Sequence, residues 1–594
     1  MRHAAAPLGA GSFGWGYLRF IPGSTSSRKG EHVTKYMLKA VVLFALFEAV
    51  VAQAQTYQPP PPFNHIVIIV QENRTPDNLF GGAPMNGALC GSEEPFEAGV
   101  DIQDGGLNLA SQQNGGPYIT CLASNSGLQT GGGYHGHQDP TDPNQGWVPQ
   151  CDADSSGHCR MDGACLGKNM WKYGCPQYQY VAKPVVQPYF DIATNYGFAN
   201  YMFETNQGPS FEAHQFLLGG TSSPVWPGDE YYQYFVAENP AFLYSGCPAS
   251  TSPYWIDPGG NEVTNPPIKS ECYDRNTLVT YQENNVVYDK TVNIKGGWKY
   301  YAQTRGIIWD APEANPQICY GAISGSGKCG GPEFDNHVII AGTTSNRSAP
   351  IFTDIQGCQL AAISWVTPDE AWSDHPGVDP NSLGPSWIAD IVDAIGSSGV
   401  NSGGKCDYWK ADPTVIFITW DDWGGFYDHV PPPKTYFGHQ SGQQWVCGSG
   451  DAPNGWGCGY VYGFRVPLLV VSEYTPPNTV SGAITGTPTY PPPPQWTHDF
   501  GSILAFTENN FNLVPIAPQT PVQYTYADQN SLDAVYQGKP VVPLWDFFLG
   551  PGRVFTPISP TSPAYDASYF MKYYTTLQNG VYPVPTGPDG GDDD

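Results

Sequence analysis

Two adjacent carboxylates, Asp421 and Asp422, close an apolar run in the segment VIFITWDDWGGFYDHVPPP, Val415 to Pro433. Like charges side by side at the end of a strand repel unless a cation lies between them. A second polar pair, Glu72 and Asn73, follows another apolar run in HIVIIVQEN. Three carboxylates and an amide oxygen form a hard, oxygen-rich donor set suited to one divalent metal ion, with Ca, Mg and Zn all open. Ser210 stands in TNQGPSFEAHQ, at a Gly-Pro turn that opens a helix. There the backbone N–H groups and the positive end of the helix dipole favour a phosphate. A cation touching the Ser210 hydroxyl would lower its pKa and make it nucleophilic. Taken singly, each group has a plain structural reading, the acids as turns and Ser210 as a helix cap. Taken together they describe metal-assisted chemistry on a phosphate.

The elements that must position these groups are legible as periodicity. His65–Val70 is a continuous β-branched run, the pattern of a strand buried on both faces of a parallel sheet. Val415–Thr419 and the stretch RVPLLVVSEY, Arg465 to Tyr474, read the same way. Helices are expected after Ser210, over Ser386–Ser398 and over His498–Phe511. In the second, Trp387, Ile388, Ile391, Val392 and Ile395 recur at helical spacing, and Gly396 suits the C-terminal cap. The alternation predicts an α/β fold, a mostly parallel central sheet with helices on both faces. Chemistry in such sheets sits just past the carboxyl ends of the strands, where both acidic pairs fall. Residues 85–190 and 225–350 are rich in Gly, Asn, Cys and Tyr and read as disulfide-containing loop insertions that cover or shape the site.

Gly424 and Gly425 would let the chain turn tightly beside a bound ion, and Asp428 and His429 would brace the loop before Pro431–Pro433 stiffen its end. His214 reads as packing or as a phosphate contact. Arg465 is expected to neutralise a nearby carboxylate, and His498 to cap its helix or touch the loop carrying Asp421.

Composition bounds the rest. The 594 residues carry 54 acidic against 26 basic side chains, a formal net charge of −28, which disfavours nucleic acid and anionic membranes. The segment MLKAVVLFALFEAVVAQAQ from Met37 reads as a secretory signal with cleavage after Ala54, preceded by an upstream extension. A Pro-rich linker over 55–62 and a catalytic domain over 63–515 follow. A Pro- and Tyr-rich extension over 516–594 ends in an acidic tail read as disordered. The 14 cysteines, all beyond the signal, predict up to seven disulfides and a secreted or periplasmic protein. Cys151, Cys159, Cys165 and Cys175 lack the paired spacing of a zinc site.

Five blocks carry a resemblance: HIVIIVQENRTPDNLFG, TNQGPSFEAHQFLLGGTSS, SDHPGVDPNSLGPSWIADIVDAIGSS, TWDDWGGFYDHVPPP and YGFRVPLLVVSEYT. In that order they resemble the bacterial phosphoesterase family of phospholipases C and acid phosphatases, whose fold is similar to alkaline phosphatase. The resemblance implies Glu72, Asn73, Asp421 and Asp422 as metal ligands and Ser210 as the nucleophile of a phosphoserine mechanism. It implies His375, in SDHP, as a contact to the phosphoryl oxygens or leaving group, and His135 and His137, in YHGHQ, as further catalytic histidines. Many phospholipase relatives carry Thr at the nucleophile and Asp-Glu-His where this chain has Asp421-Asp422-Trp423. Phospholipid head-group diesters and small phosphate esters therefore both stay open as substrates. A sulfatase would need a C/S-x-P-x-R segment, which is absent. A non-catalytic exported binding module would lack a ligand or the nucleophile, and neither is lacking.

Overall fold

The computed structural model describes residues 60–576 apart from 82–89, 91–96, 109–118, 137–160, 166–174, 223–233, 237–244, 249–254, 257–261, 264–271, 303–306, 321–328, 341–349, 433–461, 517–534 and a few shorter gaps. The signal segment, His137, Cys151, Cys159 and the acidic tail lie outside the described residues.

The core is an eight-stranded sheet. Its strands are β1 (His65–Gln71), β2 (Gly197–Ala199), β3 (Trp298–Ala302), β4 (Val338–Ile340), β5 (Ile363–Val366), β6 (Thr414–Trp420), β7 (Leu468–Val471) and β8 (Thr479–Ser481). They lie in the order β4-β3-β5-β1-β6-β7-β2-β8. Neighbours are parallel throughout except at β7, which runs against both β6 and β2. Every residue of β1 and β6 is buried, as their unbroken apolar runs require. Burying each large aliphatic or aromatic side chain contributes roughly 1.5–3 kcal/mol, and that favourable term holds the two strands at the centre. Their register pairs Gln71 with Trp420, so Glu72 and Asp421 leave the sheet side by side. The Asp421 N–H donates to the Gln71 carbonyl at 3.0 Å.

The helices cover both faces. Helix α1 (Gln187–Asn195) packs on β7 and on α3 (Gly384–Gly396), and α5 (Ala567–Thr576) also packs on α3. Helix α2 (Ser210–Gly219) packs instead on α4 (Phe500–Phe511). In α3 the five apolar residues named above are all buried. Gly396 is the last helical residue, not the cap, which is Ser397 at φ −99°. Its missing side chain makes room for Phe555, since a Cβ there would lie 2.2 Å from that ring.

Two stretches differ from expectation. The segment 225–350 supplies β3 and β4 to the central sheet, so it is not insertion alone. Those strands are short, and WKYYA is aromatic rather than β-branched, which hid them. Beyond residue 516, a 3₁₀ turn (Trp545–Phe548) and α5 pack into the core. Phe570 is buried edge-on against Trp372, with ring centroids 5.4 Å apart. Among the described residues the disulfides are Cys90–Cys121, Cys165–Cys175, Cys247–Cys272, Cys319–Cys329 and Cys358–Cys406.

Candidate metal and phosphoryl site

The carboxyl ends of β1 and β6 and the start of α2 meet at one buried point. Ser210 is the first helical residue. The cap position is Pro209, so the serine hydroxyl is not spent on capping. Ser210 Oγ donates to Glu72 Oε2 at 3.0 Å and lies 3.4 Å from Asp422 Oδ2. Asp422 is aimed by two donors, the Gly424 N–H on Oδ1 at 2.6 Å and Asn73 Nδ2 on Oδ2 at 2.9 Å. The Asn73 N–H donates to Asp421 Oδ1 at 3.1 Å. Asn73 itself is held at φ +46°, a left-handed conformation that asparagine tolerates better than most residues.

The turn after the acids is made by Gly424 and Gly425, at φ +61° and +67°. A Cβ on Gly424 would lie 2.4 Å from the Asn73 carbonyl oxygen, and one on Gly425 would lie 2.5 Å from that of Gly133. The backbone therefore closes on itself here in a way only glycine allows.

His214 joins the group from one turn further along α2. Its Nε2 is 3.1 Å from Glu72 Oε1 and 3.9 Å from Asp421 Oδ2. Its Nδ1 is 3.3 Å from the Tyr300 hydroxyl, whose single proton goes to the Trp309 carbonyl at 2.7 Å. The imidazole must then donate from Nδ1, and a lone pair on Nε2 faces the carboxylates. Burial, only partly opposed by Asp421, pulls the His214 pKa down to about 4, so the ring is neutral. Burial, and then Asp421 and Asp422, push the Glu72 carboxyl well above its usual range. Two further acceptors, Asn73 Oδ1 and Asp421 Oδ2, are buried with no hydrogen-bond partner. Acceptors thus converge from Glu72, Asn73, Asp421 and His214, and a divalent cation fits that donor set. The histidine was not expected as part of it. Its four-residue spacing from Ser210 was the available signal.

The other histidines separate. His135 is buried, and its Nδ1 donates to the Gly133 carbonyl at 2.9 Å. Its Nε2 then accepts from Asn73 Nδ2 at 3.1 Å. His375 is half-buried, with its ring centroid 5.9 Å from that of His135. His137 cannot be placed with them, since it is outside the described residues. His498 pairs with Met202 in a short strand, and its Nε2 lies 2.6 Å from Ser481 Oγ. It does not cap α4, which Asp499 does through a capping box.

A second buried layer holds the loop. His429 Nδ1 is 2.8 Å from Asp77 Oδ2, and its Nε2 is 3.1 Å from Asp101 Oδ1. Arg465 pairs with Asp77 and Asp428, each at 3.0 Å. Burial opposes the His429 charge, but Asp77 and Asp101 outweigh it and raise the pKa to about 10. Glu204, which sequence reasoning did not single out, accepts from the Gly208 N–H at 3.0 Å and so braces the turn before Ser210. Burial, with Asp422 and Glu212 nearby, pushes its carboxyl well above the usual range.

Comparison with known proteins bears on this geometry. The profile of the phosphoesterase family matches residues 63–514. Over 192 residues the chain is 30% identical to a non-hemolytic phospholipase C of Burkholderia pseudomallei, a match covering 31% of this chain and 24% of that protein. It is 26% identical over 161 residues to a hemolytic phospholipase C of Pseudomonas aeruginosa, covering 27% and 19%. It is 32% identical over 124 residues to phospholipase C B of Mycobacterium tuberculosis, covering 20% and 22%. The matched segments thus span less than a quarter of the length of each of these relatives.

Proposed function

The chain belongs to the phosphoesterase family, and from that premise we propose that it is a metal-dependent hydrolase of phosphate esters working through a phosphoserine at Ser210. The observation that carries the reading is the Ser210 hydroxyl, 3.0 Å from Glu72 and 3.4 Å from Asp422 at the very start of a helix. Glu72, Asn73, Asp421 and Asp422 would hold one divalent cation, with the His214 nitrogen beside them. Such an ion supplies Lewis-acid charge against the phosphoryl oxygens and lowers the pKa of a hydroxyl it touches.

The chain's own groups do the rest. Glu72 Oε2, already hydrogen-bonded to Ser210, takes the hydroxyl proton as Oγ attacks phosphorus in line. The P–O bond to the alcohol breaks, and the leaving oxygen takes a proton from Nε2 of a protonated His375, whose Nδ1 is held on the Pro376 carbonyl at 2.6 Å. The α2 N-terminus favours the charge on the equatorial oxygens. Water then attacks the phosphorus and gives a proton to His375, the Ser210 Oγ–P bond breaks as Glu72 returns its proton to Oγ, and the product departs as a phosphate monoester from a diester or as phosphate from a monoester.

The matched relatives are named as phospholipases C, which favours phospholipid head-group diesters over phosphomonoesters as substrate. The disulfides favour an exported protein. No helix of the described residues is long and apolar enough to cross a membrane.

The test uses purified protein with phosphatidylcholine, p-nitrophenyl phosphorylcholine and p-nitrophenyl phosphate, each with and without chelator. Chelator-sensitive turnover is expected, fastest on the choline diesters. Ser210→Ala should lose at least about 10³-fold in kcat while its melting curve is preserved. Turnover within tenfold of wild type in that variant would remove Ser210 as nucleophile.

A further inference from the structure

Away from this centre, Asp289, Glu333 and His337 meet at the edge of the sheet, their donor atoms within 4.8 Å of one another. Asp289 ends the second strand of a hairpin (Thr280–Glu283 with Val286–Asp289), and Glu333 and His337 lie one turn apart on a short helix (Pro332–His337) that leads into β4. We propose that this triad is a second metal site, taking a zinc-like divalent cation that ties the hairpin to the sheet edge.

Two of the three ligands are oriented from outside the triad. His337 Nδ1 donates to the Trp298 carbonyl at 2.8 Å, and its ring stacks on the Trp298 indole, centroids 4.6 Å apart and planes within 8°. That bond leaves the Nε2 lone pair facing the two acids, the backbone-carbonyl arrangement common behind metal-bound imidazoles. Asp289 Oδ1 is occupied by the Thr291 N–H and hydroxyl, at 2.6 and 2.7 Å, which turns Oδ2 toward His337. Glu333 Oε2 is buried without a hydrogen-bond partner.

The spacing suits an ion better than a direct bond. His337 Nε2 stands 3.8 Å from Asp289 Oδ2 and 3.8 Å from Glu333 Oε2. Both gaps are too long for a hydrogen bond. Ligands ~2.0–2.2 Å from a tetrahedral zinc stand about 3.3–3.6 Å apart, close to what is seen. Two carboxylates and a neutral imidazole balance a divalent charge. Neighbouring Lys290 is turned away, to the Thr277 carbonyl at 3.0 Å and Glu508 at 4.0 Å. The three side chains are about a fifth exposed, leaving an entry path and room for a water as fourth ligand.

The experiment is zinc content by mass spectrometry after equilibrium dialysis against buffered Zn²⁺, for wild type, His337→Gln and Glu333→Gln. Each variant should hold one equivalent less per chain than wild type, because whatever the catalytic centre retains cancels in the difference. Turnover on p-nitrophenyl phosphate should stay within twofold. Glu333→Gln keeps the Trp298–His337 stack and carries the test if His337→Gln fails to fold. Zinc content equal to wild type in a folded variant would reduce the triad to an ion pair of imidazolium with two acids and overturn the proposal.

Discussion

Ser210 and His214 lie one helical turn apart, so a single short helix presents both a hydroxyl and an imidazole nitrogen to the same carboxylates. Their loss should separate cleanly. Ser210→Ala removes the hydroxyl and leaves the acids in place. His214→Ala leaves the hydroxyl and removes a neighbour of Glu72 and Asp421, with an expected loss of about 10–100-fold in apparent metal affinity. The checking measurement is the metal concentration for half-maximal turnover. An unchanged value would make His214 packing alone. The positions of the acids, Asn73 and Ser210 were legible in the sequence because each follows the end of a strand or opens a helix. His214 was not, since a lone histidine on an apolar helix reads as core. What orients it, Tyr300 bonded to the Trp309 carbonyl, comes from a segment about 90 residues away.

At the scale of elements, the site exists because β1 and β6 are adjacent, parallel and in a register that ends both at once. Their apolar runs made both strands and their burial readable. The direction of β7 was not readable. A strand buried on both faces looks the same whichever way it runs, and only the return of the chain from the Asp422 end makes it antiparallel. β3 and β4 were missed because strands of five and three residues leave too short a pattern. The turn that follows β6 makes its own prediction. Gly424→Ala must accommodate a Cβ 2.4 Å from the Asn73 carbonyl at a left-handed φ, and should cost about 1–3 kcal/mol. It should also displace the N–H that aims Asp422, raising the metal requirement at least about tenfold. Thermal melting and metal titration of the same variant read both effects. A melt within a degree of wild type would show that the loop has slack.

For the molecule as a whole, the buried charges behind the site join segments far apart in the chain. Asp77 follows β1, Asp101 lies in the first Gly- and Cys-rich stretch, His429 ends the loop that carries Asp421 and Asp422, and Arg465 leads into β7. Removing one partner from such a network leaves the others buried and unpaired, which costs about 3–5 kcal/mol. His429→Gln should therefore lower stability by roughly that amount near neutral pH. The pH dependence follows from the direction of the shift. The folded pKa of His429, about 10, is above the unfolded value of about 6.5. Its contribution is then fully present below pH ~6.5 and is lost as the pH rises through 10, where the folded imidazolium deprotonates. Asp101 is shifted the other way: burial is outweighed by His429 and Arg465, which hold its carboxyl below the usual range, so its contribution is lost only in acid. Wild type minus His429→Gln, measured by urea unfolding from pH 5 to 10.5, should give a difference that is largest in the acidic half of that range and shrinks toward pH 10. A difference that stays flat across the range would mean that His429 is neutral in the folded protein and that Arg465 alone balances Asp77, Asp101 and Asp428.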